Sequence, residues 1–254
     1  MTQVLAIIGS PRNGHTYQVV QRVEQRLTRT PDTKFEYVFL GDLNLEICRG
    51  CYVCQSRGEQ HCPLRDERAA LGEKMKQADG VIFASPTYTN NVSSLMKNLM
   101  DRIAYAAHRP AFLGKPAMLV TTASSLTGAA LKALSWFGYT GFEIVSQLGA
   151  SWWPSPHHAW RAERAVDNRF ERAADRFERA LARGPARSLS LEHILLPNVG
   201  KATATIDPEF FVADYEYHYG QEIEQRGFAV SGWKKLIGRL AHWIAVRWME
   251  RRMT

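Results

Sequence analysis

The chain predicts a doubly wound α/β domain on a five-stranded parallel sheet, followed by a mainly helical C-terminal extension. Three observations carry this. Five short runs that read as strands recur within the first 150 residues, the first of them apolar and rich in β-branched residues, segments long enough for helices separate them, and the first run ends in a glycine-bearing turn that opens into a helix. Strands alternating with helices of ten or more residues build a parallel sheet covered on both faces.

In chain order, Val4-Leu5-Ala6-Ile7-Ile8 is a strand buried on both sides, ending at Gly9-Ser10-Pro11-Arg12-Asn13-Gly14. Thr16 opens a helix reaching about Arg29, and Phe35 to Leu40 is the second strand. A cysteine-bearing loop precedes a helix over Asp66 to Ala78, with Leu71 and Met75 one turn apart. Gly80 to Ala84 is the third strand, Ser94 to Ala107 a helix, Ala117 to Thr121 the fourth strand, and Thr127 to Phe137 a helix. Glu143-Ile144-Val145-Ser146 starts the fifth strand, and Ala159 to Arg183 is a long polar helix that Gly184-Pro185 ends. The alternation is lost there, so residues 1–183 form the main domain and 184–254 the extension.

The composition is that of a globular protein, with 45% hydrophobic and 22% charged residues among 254. No stretch approaches the roughly 18 apolar residues of a membrane span. Met1-Thr2-Gln3 leads into the first strand with no basic n-region, so the expected compartment is the cytoplasm. Residues 231–254 hold six basic residues against Glu250 and thus +5 of the net +7. The body is nearly neutral, which excludes nucleic acid as an expected partner.

Gly9 to Thr16 reads G-S-P-R-N-G-H-T, the spacing of a triphosphate loop with His15 where that chemistry needs lysine. A neutral imidazole supplies no fixed charge. Backbone amides, the hydroxyls of Ser10 and Thr16 and a helix N-terminus remain, and these suit a single phosphate. Arg12 can add a charged donor. After the third strand comes Ser85-Pro86-Thr87-Tyr88-Thr89-Asn90. It supplies a stiff backbone, a flat ring and an amide, which is what a planar heterocycle requires. Thr122 and Ser124, after the fourth strand, would border the same ligand.

Together, G-S-P-R-x-G-x-T, S-P-T-Y and L-x-K-x-x-x-D-R (Leu95 to Arg102) make residues 1 to 150 resemble the NADPH-dependent FMN reductase family of flavodoxin-like proteins. The chain departs from the usual pattern at His15 and at Asn90-Asn91. The resemblance implies a flavodoxin-like fold, FMN as cofactor and NAD(P)H as co-substrate. It implies an FMN phosphate at Ser10, Arg12, Asn13, Gly14, His15 and Thr16, with the flavin ring along Ser85 to Asn90. It also implies a homo-oligomer that passes electrons to a small-molecule or protein acceptor. No catalytic acid, base or nucleophile is expected.

All four cysteines fall in one segment, Cys48, Cys51, Cys54 and Cys62, spaced C-x2-C-x2-C-x7-C. A compact triple with a distal fourth is how a chain encircles a cubane cluster, whereas structural zinc draws on two separated pairs. The spacing resembles that of iron–sulfur flavoproteins, which add a [4Fe–4S] cluster to FMN. Similar loops occur in relatives without a cluster, and zinc or redox thiols are a third reading. The functional readings are accordingly an FMN-dependent NAD(P)H oxidoreductase, an electron-transfer module with FMN and a cluster, and a protein that has kept only the fold.

Two features remain. His157-His158 beside Trp152-Trp153 and Trp160 reads as a loop or packing cluster rather than a metal site. Trp233, Leu236, Ile237, Leu240, Ile244 and Trp248 recur at helical spacing among basic residues, as a basic amphipathic helix does. That helix packs on the body or on a partner subunit, or it meets anionic lipid.

Overall fold

A computed structural model describes residues 1–29, 32–151, 159–186, 195, 197–220 and 231–253. The parallel strands are β1 (Thr2–Ile8), β2 (Thr33–Phe39), β3 (Gly80–Tyr88), β5 (Pro116–Ala123) and β6 (Glu143–Ser151), ordered β2-β1-β3-β5-β6. A two-residue strand, β4 (Asn91–Val92), pairs antiparallel with the end of β3. This is the flavodoxin-like order, in which ligands settle beyond the carboxyl ends of the strands.

Burial follows position in the sheet. In the interior strand β1, residues Val4 to Ile8 are almost wholly buried because helices cover both faces. The edge strand β2 alternates and carries Lys34 and Glu36, charges that discourage further strand pairing. One face is covered by α3 (Arg68–Gln77), α4 (Ser94–Arg102) and α6 (Gly128–Leu134), which enclose Leu71, Met75, Leu99, Ala130 and Leu134. The other is covered by α1 (His15–Leu27) and α7 (Ala159–Arg183). Phe170, Ala173, Ala174 and Phe177 on α7 pack with Val20, Val23 and Leu27 on α1, so the long polar helix has a buried apolar face and belongs to the body. Gly184, at φ +75°, closes it, as a C-terminal glycine does.

Three expectations change in detail. The third strand continues through Ser85-Pro86-Thr87-Tyr88 and turns at Thr89-Asn90, both at positive φ (48° and 58°), into β4. A segment expected to be loop is therefore half of a tight hairpin. The helix expected over Ser94 to Ala107 breaks at Ile103 into α4 and α5 (Tyr105–His108), with Arg102 and Tyr105 both buried at the break. The helix after β5 ends at Leu134 and gives way to a 3₁₀ turn over Ser135–Thr140 that buries Phe137.

The extension contributes α8 (Pro197–Ile206), α9 (Val212–Gly220) and α10 (Gly232–Met253). Gly200 sits so close to α5 that a Cβ would lie 2.9 Å from the His108 backbone. Among the described residues no helix is long and apolar enough to cross a membrane.

Candidate functional site

The turn after β1 is held from beneath. Gly9 N–H donates to Ala84 O at 2.7 Å, and a Cβ on Gly9 would lie 3.0 Å from Met96 Cβ on α4. Ser10 is buried, and its hydroxyl donates to Arg12 O at 2.7 Å. Gly14 caps α1 in an extended conformation with no side-chain cap, and no acid stands in the first turn. That end of α1 is thus disposed towards an anion. Arg12, Asn13 and His15 lie at the surface, His15 Nδ1 within 3.2 Å of Gln18 Oε1. Thr16 is buried, with its hydroxyl 2.7 Å from that of Thr122, so both serve to tie α1 to the end of β5.

The hairpin stands beside this turn because β3 is the neighbour of β1. Ser85 and Pro86 are buried, Thr87 is half-buried, and Tyr88, Thr89 and Asn90 are exposed. Thr87 and Thr121 hydroxyls lie 2.9 Å apart, and Ser124 is exposed on the loop after β5. The phosphate-type turn, the tyrosine-bearing hairpin and the hydroxyl-rich loop therefore share one sheet edge in the order β1-β3-β5.

Ser93 joins these parts and was not foreseen as a site residue. Its hydroxyl donates to Gly9 O at 2.5 Å and accepts Met96 N–H at 3.2 Å, while its own N–H donates to Ser85 Oγ at 2.9 Å. A serine before a helical run signals an N-cap in sequence; that it also reaches β1 is a property of the sheet order.

The cysteine segment includes α2 (Val53–Ser56) and a 3₁₀ turn over Glu59–His61. Cys48, Cys51, Cys54 and Cys62 all line one cavity of about 410 Å³, together with Arg68 and Arg102. Arg102 is buried, forms a two-bond ion pair with Asp66 at 2.7 Å and donates to Cys62 Sγ at 3.1 Å. Burial pushes the Cys62 thiol up. The hydrogen bonds from Arg102 and the Leu64 backbone, with the charges of Arg102 and Arg68, outweigh it, and the net shift is downward. For Cys54, burial and the neighbouring Cys62 push the thiol up. Asn98 on α4 accepts Cys48 N–H at 3.2 Å. Since α4 starts at the phosphate-type turn and ends at Arg102, the two sites lie about 13 Å apart along one helix.

A second support comes from the extension. Asp214 on α9 is fully buried and accepts from Arg109 and, at 2.9 Å, from His108 Nδ1. Arg109 also donates to Cys54 O at 2.6 Å and to Glu59 at 2.9 Å. A residue 152 positions beyond Cys62 thus stiffens the cysteine loop.

Among the described residues no three His, Cys, Asp or Glu side chains converge on a point that would hold a single ion. A tetrahedral zinc needs its sulfurs about 2.3 Å from one centre, whereas a cubane takes one thiolate at each of four separated irons. Arg102 Nε is buried with no partner among the described residues. Residues 152–158, with Trp152, Trp153, His157 and His158, lie outside the described residues.

Comparison with known proteins shows the family and the fold. An iron–sulfur flavoprotein of Methanocaldococcus jannaschii is 38% identical over 101 residues, 39% of this chain and 51% of that protein. An iron–sulfur flavoprotein of Clostridioides difficile is 34% identical over 135 residues, 52% of this chain and 58% of that protein. The chain thus spans about half the length of these curated relatives. The crystal structure of RosB with bound 8-demethyl-8-formylriboflavin-5′-phosphate overlays with a TM-score of 0.56, covering 91% of each chain at 11% identity, a likeness of fold. The family model described as NADPH-dependent FMN reductase matches residues 2–150, the sheet up to the last residue of β6 and the three segments on its edge, and the chain belongs to that family.

Proposed function

We propose that the protein is an FMN-dependent NAD(P)H oxidoreductase, with its cofactor on the β1-β3-β5 edge. The observation that carries this is the turn from Gly9 to Thr16, whose helix has neither a side-chain cap nor an acid in its first turn. Such an end attracts a phosphate. Ser10, Arg12, Asn13, Gly14, His15 and Thr16 would hold the phosphate. Ser85, Pro86, Thr87, Tyr88, Thr89 and Asn90 would border the ring, with Thr122 and Ser124 closing its far side. Ser10 and Thr16 act mainly by shaping the cradle, since their hydroxyls are engaged within the protein. When bound, FMN supplies hydride and electron transfer between NAD(P)H and an acceptor; the protein's part is placement and shielding. No side chain is assigned as acid or base.

The test is direct. Purified protein should carry, or take up, one FMN per chain and oxidise NADH or NADPH faster when free flavin or a quinone is added. Colourless protein that refuses FMN would overturn the assignment. The flavin-binding unit would span residues 1–183, with 184–254 docked upon it. Light scattering should find a homo-oligomer; a monomer at working concentration would remove that part.

A second reading adds a [4Fe–4S] cluster on Cys48, Cys51, Cys54 and Cys62. It is favoured by the four thiols lining one cavity beside Arg102, whose Nε lacks an acceptor among the described residues. An anionic, sulfur-rich group there would provide that acceptor. Anaerobically purified protein would then be brown, with about four irons per chain. Iron-free yellow protein would assign the loop to a cluster-free reductase.

A further inference from the structure

We propose that α10 docks the protein, lying flat, on an anionic lipid bilayer. The helix has two apolar faces. One packs on α8 through buried Gly238 and half-buried Ala241, His242, Ala245 and Met249. The opposite face carries Trp233, Leu236, Leu240, Trp243, Ile244 and Trp248, each between 53% and 68% exposed. At helical spacing these six make one stripe about 22 Å long. Large apolar side chains clustered on a surface mark an interaction site.

Charge decides what covers the stripe. Lys234 and Lys235 stand at one end of α10, and Arg247, Arg251 and Arg252 at the other, with Glu250 the single acid. Pairing with a second copy, parallel or antiparallel, would set cation against cation along the stripe. An anionic headgroup layer matches both ends at once. Three cations lie over indole rings: Lys234 Nζ is 5.7 Å from the Trp233 centroid, Arg247 Cζ 5.6 Å from Trp243 and Arg252 Cζ 4.3 Å from Trp248. Indole with an adjacent cation belongs at the level where acyl chains meet headgroups. This attachment is independent of the flavin assignment.

Full-length protein should pellet with vesicles of equal parts phosphatidylglycerol and phosphatidylcholine in 0.1 M salt. It should stay in the supernatant with phosphatidylcholine alone, and should be released at 1 M salt, where the screening length falls from about 10 Å to about 3 Å. Arg247→Gln with Arg251→Gln should weaken vesicle binding about thirtyfold, and Trp243→Ala with Trp248→Ala at least tenfold, roughly. Unchanged melting of each variant confirms that only the surface was altered. The proposal is overturned if the parent protein ignores the anionic vesicles, or if both double variants bind as it does. It is equally overturned if the parent is a dimer that ignores vesicles and the tryptophan variant is a monomer, which would give the stripe to a second copy.

Discussion

The two candidate sites sit at opposite ends of α4 and are built in opposite ways. The phosphate-type turn is made by eight consecutive residues and shaped chiefly by its own backbone and by the adjacent strand. The cysteine loop is pinned from outside by three buried arginines, Arg68, Arg102 and Arg109, and by Asp214 of the extension. A site made of local backbone tolerates side-chain change at its surface, whereas a site hung on buried ion pairs depends on residues far away in sequence. Perturbing each support in turn breaks or sharpens that contrast.

The largest effect is expected at Asp214. Replacing it with alanine leaves the buried Arg109 guanidinium with only the half-buried Glu59 as a carboxylate partner among the described residues, and losing one partner of a buried pair costs about 3–5 kcal/mol. Urea denaturation should read that loss. Hydrogen exchange should show faster opening over residues 48–62 while the amides of β1 stay protected. Uniform loosening of the whole sheet would erase the distinction between the two regions.

Arg102→Met is next, at about 3 kcal/mol, because among the described residues Asp66 then keeps only the N–H groups of Glu46 and Arg68. The same change removes the hydrogen bond and much of the charge that hold the Cys62 thiol down against burial. In metal-free protein, Cys62 should therefore be alkylated at lower pH than Cys54, and Arg102→Met should move the Cys62 profile to higher pH. Mass spectrometry of a pH series checks the sign; an unmoved profile would separate Arg102 from the thiol.

The legibility of the two regions in sequence follows from the same difference. The turn, the sheet and all five parallel strands were readable because glycine placement and apolar runs act locally. The hairpin after Ser85 was not, since Thr89 is an unusual residue for a positive-φ turn and gives no signal. Arg102 stood in a recognised motif, but its partners Asp66 and Cys62 approach it only in the folded chain. Asp214 lies in a segment without a motif, and nothing local distinguishes a buried aspartate from an exposed one. The tail reads in sequence as an amphipathic helix. Its second face, turned to α8, gives little signal because alanine, glycine and histidine are only weakly hydrophobic.

Within the phosphate-type turn, Gly9→Ala should cost about 2 kcal/mol, as overpacking does, because the new methyl meets Met96 Cβ at 3.0 Å and Ser93 Oγ at 3.1 Å. The clash is with the start of α4, so the turn must shift and FMN retention should fall with stability. A variant with unaltered melting would mean that α4 gives way easily, and that the cradle is less fixed than its hydrogen bonds suggest.

Tyr88→Ala should alter stability least, within about 0.5 kcal/mol, since the ring is 43% exposed at a hairpin end. A ring that borders a flavin nevertheless contributes to its binding, and aromatic contacts are worth about 0.5–1.5 kcal/mol. FMN affinity should therefore fall about two- to twelvefold while the melting curve stays in place, the reverse of the pattern at Asp214. Fluorescence titration of apoprotein with FMN separates the cases. Loss of stability with unchanged affinity would make Tyr88 a packing residue and move the flavin away from the hairpin, whereas loss of affinity alone keeps the ring where the sheet edge presents it.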